Sequence, residues 1–392
     1  MTLMGILLGA AAMLLLVPIG ILLVEVLLAV TYPAESQVIE GDRGRVAVLM
    51  PAHDEVSLIA DSLRSIVPQL NPGDRLLVVA DNCSDDTAAV AISEGAEAVI
   101  RHDARRRGKG YALDFGIRHL ALDPPDVVIV ADADCHLSSS AIDDLARVCD
   151  RTMRPVQALY LMRSRGGGLR MRLAEFAWVV RNRVRPIGMH HLRLPCQLMG
   201  TGMAFPWPCI STISLASGHI VEDLKMGLDL ALAGTPALFC PSVVATSDFP
   251  ESSDGARSQR TRWEHGHLSV IVADAPRLFM RAIAARNRDL LALVLDLSVP
   301  PLALLALFAA TVWFASALWW AFGNSMVPFA VASAGATLLA TAVLLSWRYF
   351  GREIISLGDL AVVPVYLVSK IPMYVRFVLA RQIEWVRSKR GT

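Results

Sequence analysis

Charge is scarce in this chain. Charged residues make up 19% of the 392, and 37 Lys and Arg nearly cancel 36 Asp and Glu. With no basic excess, the electrostatic footprint of a nucleic-acid-binding protein is missing. Cysteine is sparse too: Cys83, Cys135, Cys149, Cys196, Cys209 and Cys240 form no C-x-x-C pair, and no histidine stands at zinc-finger spacing. They read as reduced cytoplasmic thiols, most of them structural. The chain also lacks the G-x-G-x-x-G that a dinucleotide-binding half places after its first strand; Pro51-Ala52-His53-Asp54-Glu55 stands there instead. Gly108-Lys109-Gly110 has no Ser or Thr after the lysine, which excludes a Walker A loop.

What is abundant is apolar surface. Hydrophobic residues reach 54%, more than a soluble domain carries, and they concentrate at the two ends. Residues 1–32 are apolar apart from Glu25, with Pro18 among them, and are long enough to cross a hydrocarbon core of about 30 Å. Without a basic n-region or a small-x-small cleavage site, the segment reads as a retained anchor and not a signal peptide. Leu290–Phe322 and Met326–Trp347 read as a transmembrane hairpin (290–347) turning at Gly323-Asn324-Ser325. Arg281, Arg286 and Arg288 precede it and Arg348 and Arg352 follow, so the positive-inside rule places both its ends, and the 36–288 domain before it, in the cytoplasm. Segment 354–392 is apolar but interrupted by Asp359, Pro364, Lys370, Pro372 and Arg376. It is expected to form an interfacial or re-entrant helix, with Arg381, Arg387, Lys389 and Arg390 in a basic cytoplasmic tail. These signals predict a multi-pass protein of a bacterial-type inner membrane with about three spans.

The middle segment alternates buried-strand runs (Arg45–Met50, Leu76–Ala80, Ala98–Ile100, Val127–Ala131) with helical patterns such as Thr87–Glu94 and Tyr111–Leu120. That alternation predicts an α/β fold with a doubly wound, mostly parallel sheet. Polar residues gather where the strands end: His53, Asp54 and Glu55; Asp81, Asn82, Ser84, Asp85 and Asp86; Asp132 and Asp134. In open α/β sheets the ligand crevice lies beyond those ends.

Three motifs carry chemistry. Asp132-Ala133-Asp134 puts two carboxylates on one side of an extended segment, a hard-oxygen donor set for Mg²⁺ or Mn²⁺ on a substrate diphosphate. A D-x-D alone is commonly a solvated acidic turn, and its place directly after a buried strand decides against that. Glu222-Asp223 opens a helical pattern and offers a general base, or simply acids placed by the helix dipole. Gln259-Arg260-Thr261-Arg262-Trp263 offers diphosphate donors and an aromatic wall, or an interfacial helix start. His265 and His267 behind it could ligate a metal but read as hydrogen-bonded or interfacial groups, and Cys135 beside D-A-D reads as packing. Most arginines of the Arg101–Lys109 run read as a solvated loop.

Taken in order, P-A-H-D-E at Pro51, Asp81 in A-D-N-C-S-D-D-T, D-A-D, E-D and Q-R-T-R-W resemble the membrane-bound branch of family 2 inverting glycosyltransferases. That branch has the GT-A fold and includes cellulose, chitin and hyaluronan synthases and ceramide glucosyltransferase. The resemblance spans about Val46 to His267. It implies that Pro51, His53 and Glu55 border the nucleotide, Asp81 binds base or ribose, Lys109 approaches the diphosphate, and Asp132 and Asp134 hold metal and donor. It also implies that Asp223 is the base with Glu222 orienting it, that Gln259, Arg260, Arg262 and Trp263 hold the diphosphate and wall the acceptor, and that Gly200-Thr201-Gly202 meets the acceptor. The implied partners are a nucleotide-sugar donor, with UDP the family-weighted nucleotide, a lipid or saccharide acceptor at the membrane, and possible export-complex subunits. The alternatives are an inactive membrane scaffold and a nucleotidyl- or phosphotransferase working on a lipid.

Overall fold

Short runs rich in Val, Leu and Ile, buried on both faces, build the sheet. The computed structural model describes residues 3–33, 40–166, 168–218, 221–250 and 252–379; Ser36, His219, Ile220 and the basic tail with Arg381, Arg387, Lys389 and Arg390 lie outside the described residues. Two compact units emerge, one of Ala34–Arg165 and Leu194–Gly266, the other of Met1–Pro33, Gly166–Arg193 and His267–Gln382. The chain thus divides differently from a continuous 36–288 domain, because the Gly166–Arg193 segment folds with the N-terminal helix.

The first unit holds β1 (Val46–Ala52), β2 (Arg75–Asp81), β3 (Glu97–Arg101), β4 (Val127–Val130), β5 (His136–Leu137), β6 (Val156–Arg163), β7 (Met203–Pro206) and β8 (Leu238–Asp248). They form one sheet in the order β3-β2-β1-β4-β7-β6-β8-β5. The β3-β2-β1-β4 half is parallel, with Leu49 level with Leu77 and Val130. The return through β7 is antiparallel to both β4 and β6, while β6 and β8 are parallel. Leu49, Leu77, Val79, Val128, Val130 and Phe205 form a core with Leu113 of the helix Lys109–Leu120 and Met226 and Leu230 of the helix Glu222–Leu232. Burial of these side chains fixes the sheet, and the parallel half brings the carboxyl ends of β1, β2 and β4 to one edge.

In the second unit, four helices are long and apolar enough to cross a membrane: Leu3–Thr31, Leu302–Ala321, Val327–Gly351 and Gly358–Leu379. At 1.5 Å per residue the first is about 43 Å long. The Leu290–Phe322 run is not one helix: Arg288–Leu297 stands apart, since Pro300 and Pro301 cannot continue the backbone ladder. Gly358–Leu379 meets the length and hydropathy of a span despite Pro372, where an interfacial element was expected.

Three buried charges tie this unit together. Arg185 donates from Nε to Glu25 Oε2 (2.8 Å) and from Nη2 to Asp296 Oδ1 (2.6 Å) and the Asp296 carbonyl (2.5 Å). It thereby joins the helices Leu3–Thr31, Arg185–His191 and Arg288–Leu297. One turn on, Gly188 sits against the Glu25 carbonyl, where any Cβ would collide. Removing the guanidinium leaves two buried carboxylates uncompensated, a loss of about 3–5 kcal/mol. Arg185→Ala is expected to lower the unfolding temperature in micelles sharply, and the triple variant Glu25→Gln, Arg185→Met, Asp296→Asn to recover much of it. Equal melting of Arg185→Ala and wild type would show that the triad holds nothing together.

Candidate active site

The edge formed by β1, β2 and β4 collects the motifs. Past β4, the backbone alternates so that Ala133 and Cys135 point into the core while Asp132 and Asp134 stay half-buried on the open side. Lys109, first residue of its helix, reaches across to this point. Its Nζ donates to Asp132 Oδ1 and to the Gly200 carbonyl (2.7 Å). Burial pulls the ammonium's pKa down, but Asp132, Glu222 and Asp223 outweigh it and hold the value above the ordinary one. Burial, reinforced by Asp134, raises the Asp132 carboxyl against the pull of Lys109.

Glu222 and Asp223 occupy the first turn of the helix Glu222–Leu232, where exposed amide groups favour negative charge. Burial dominates at Glu222, with Asp223 repulsion added, and the carboxyl is pushed up to about 7. Gly200 marks the closest approach. A Cβ there would lie 3.2 Å from Asp223 Oδ2 and 3.8 Å from Lys109 Nζ, and its φ of +97° suits glycine alone. Lys109, Asp132, Gly200 and Asp223 therefore form one constellation.

The G-T-G segment has a framing role. Thr201 is fully buried, and its Oγ1 accepts from the Asp132 amide (3.0 Å), so its side chain supports D-A-D and does not face a substrate. Gln157, which motif reading passed over, brackets the segment by donating to the Thr201 carbonyl (2.9 Å) and accepting from the Met199 amide (2.8 Å). Its signal was a polar residue inside the apolar run of β6. Gly202 packs close to Ala158 of β6 and Ala245 of β8.

At the ends of β1 and β2, His53 Nδ1 lies 2.7 Å from the Asp81 carbonyl, and the Glu55 amide donates to Thr87 Oγ1 (2.9 Å). Pro51 sits in β1 level with Val79. Asp81 Oδ1 accepts from Arg101 Nη1 (2.5 Å) and Asn82 Nδ2 (2.9 Å). Arg101 is the exception in its run: Arg105, Arg106 and Arg107 are exposed, whereas Arg101 is 8% exposed, closes β3 and lies 5.7 Å above the Tyr111 ring. Burial raises the Asp81 carboxyl despite this guanidinium.

Gln259, Arg260, Arg262 and Trp263 lie on the helix Ser253–Ala273, with Gln259 buried and the others half-buried. Gly266 on the same helix touches Val221, the residue before Glu222, too closely for any Cβ. This contact brings the Q-R-T-R-W segment to the opening of the helix that carries Glu222 and Asp223. Cys135 is buried, and its thiol is pushed up to about 12 by that burial, consistent with packing.

The profile described as Glycosyltransferase like family 2 matches residues 43–266, more than half of the chain. The chain belongs to this family. It is similar to the probable glycosyltransferase YdaM of Bacillus subtilis, 25% identical over 254 residues, 60% of this chain and 58% of that one. It is also similar to an uncharacterized glycosyltransferase of Mycobacterium tuberculosis, 33% identical over 122 residues, 29% of this chain and 51% of the other. The chain thus spans just over half the length of these curated relatives. Among solved structures, a mannosyltransferase of Pyrobaculum calidifontis in complex with GDP-Man and Mn²⁺ superposes with a TM-score of 0.58 at 19% identity, covering 96% of this chain and all of that one. The shared fold is GT-A.

Thr201→Val removes the acceptor beneath the Asp132 amide and leaves a buried N–H unpaired, at a cost of about 1–3 kcal/mol. Thermal unfolding is expected to drop for Thr201→Val and to stay near wild type for Thr201→Ser. Identical curves for Val and wild type would remove the framing role.

Proposed function

We propose that this family 2 glycosyltransferase moves a sugar, with inversion, from a nucleoside-diphosphate donor to a lipid or saccharide acceptor at the membrane, its catalytic unit on the cytoplasmic side. The observation that carries the reading is the meeting of Asp223 with Lys109 and Asp132 at Gly200. A base, a cation and a D-x-D carboxylate thus converge where several strands end.

Asp223 accepts the proton of the attacking hydroxyl. The acceptor oxygen bonds to the anomeric carbon as the bond from that carbon to the diphosphate oxygen breaks, and the electron pair leaves with the diphosphate. Lys109 and the arginines of Q-R-T-R-W stabilise the charge developing there. Asp132 and Asp134, hard donors that repel one another, fit a divalent cation. Mg²⁺ or Mn²⁺ held there would supply Lewis-acid stabilisation of the leaving diphosphate. Glu222 orients Asp223, and His53, Glu55 and Asp81 border the nucleoside. Orientation follows from Arg281, Arg286, Arg288, Arg348 and Arg352 around the helical hairpin. Four candidate spans suit addition of one or a few sugars, with export left to partner subunits.

Purified full-length protein in native lipid extract, supplied with a panel of nucleotide sugars and Mn²⁺, is expected to release nucleoside diphosphate and label the lipid or polymer fraction. Asp223→Asn should lower turnover by about 100-fold or more. Release of nucleoside monophosphate would indicate nucleotidyl or phosphoryl chemistry, and intact donors throughout would favour a scaffold. The pH profile offers a second check. Because burial and like charge keep Glu222 protonated up to about 7, the Glu222–Asp223 pair ionises fully only above neutrality, so kcat/KM should rise with pH through that region. Glu222→Gln removes a neighbouring negative charge and should shift that limb to lower pH. An unmoved limb would uncouple the two acids.

A further inference from the structure

The helix Ala275–Ala284 divides into three sectors. Ala275, Leu278 and Ala282 are buried at 7%, 6% and 1% exposure and anchor it to its unit. At about 100° per residue, Phe279, Met280 and Ile283 fall together on a neighbouring flank. They stay open, at 36%, 65% and 51% exposure. Arg277 and Arg281 share a third flank, one turn apart, and Arg286 follows the helix; all three are exposed. Between Asp274 and Asp289, which bound the segment, the sequence holds four arginines and no further acid, and Arg277, Arg281 and Arg286 make no ion pair among the described residues. An ordinary solvated face would mix signs and show no apolar flank.

We propose that this helix is a binding surface for anionic lipid. Phe279, Met280 and Ile283 enter the acyl region, and Arg277, Arg281 and Arg286 engage headgroup phosphates in the plane of the membrane interface. Charge complementarity selects the occupant: an arginine-rich segment with a net positive charge beside a bare apolar stripe matches a negatively charged bilayer surface. The candidate span Leu302–Ala321 follows in the same compact unit. Each arginine on such a surface strengthens association about fivefold. The surface shares no residue with the catalytic constellation, so it stands or falls independently of the donor chemistry.

Hydrogen exchange of the full-length protein tests this in nanodiscs of phosphatidylcholine alone or with about 30% phosphatidylglycerol. Amides of residues 275–286 are expected to exchange at least about fivefold more slowly with the anionic lipid. That protection should fall in Arg277→Gln/Arg281→Gln/Arg286→Gln and persist in the corresponding triple Lys variant, with the exchange of β1, β2 and β4 unchanged as the folding control. Wild type in high salt gives the same reading without mutation, since screening should release the helix. Equal exchange in the two lipids would overturn the proposal. So would protection that grows with protein concentration in detergent, which would assign the face to a second copy of the chain.

Discussion

One ammonium group organises the catalytic edge. Asp132, Glu222 and Asp223 come from two separate elements, and holding three half-buried carboxylates near one another is costly unless a cation compensates them. Lys109 supplies that charge from the start of a third element, and its second bond, to the Gly200 carbonyl, pins the segment that frames D-A-D. Several local features follow from this arrangement. The backbone at residue 200 must turn through positive φ, Thr201 must lie beneath the Asp132 amide, and Glu222 is left with a carboxyl that titrates near neutrality.

The first half of the sheet was legible because each strand is a continuous apolar run that ends in polar residues. β1, β2 and β4 fall where hydrophobicity marked them, and D-A-D and E-D converge as their motifs implied. What escaped was set by distance along the chain. Gln157 earns its role through contacts with residues more than forty positions away. Arg101 looked like one member of a basic loop, yet its partner is Asp81, twenty residues earlier. The antiparallel return through β7 depends on which edge β4 leaves open, and no local period records that.

The membrane part shows the same division. Hydropathy located three of the four candidate spans but not the triad of Glu25, Arg185 and Asp296, because Arg185 lies in a segment that composition assigned to the middle domain. Pro300 and Pro301 were visible in the sequence, and their chain-breaking geometry accounts for the separate helix Arg288–Leu297. Buried ion pairs of this kind restrict which helices can be neighbours, a specificity that apolar contacts between lipid-facing helices lack.

The most direct test of the central interaction is the pH dependence of thermal unfolding in Lys109→Met compared with wild type, over about pH 5.5 to 8.5. Without the ammonium, the carboxyls of Asp132 and Glu222 shift further upward, so the variant sheds stability as pH rises and they are forced to ionise. Lys109 itself stays protonated throughout this window, so the wild-type lysine contributes no slope of its own. The deficit of the variant should therefore be small at the acid end, large at the alkaline end, and reduced by added Mn²⁺. A deficit that is absent, or the same at every pH, would contradict the claim that Lys109 holds the carboxylates together.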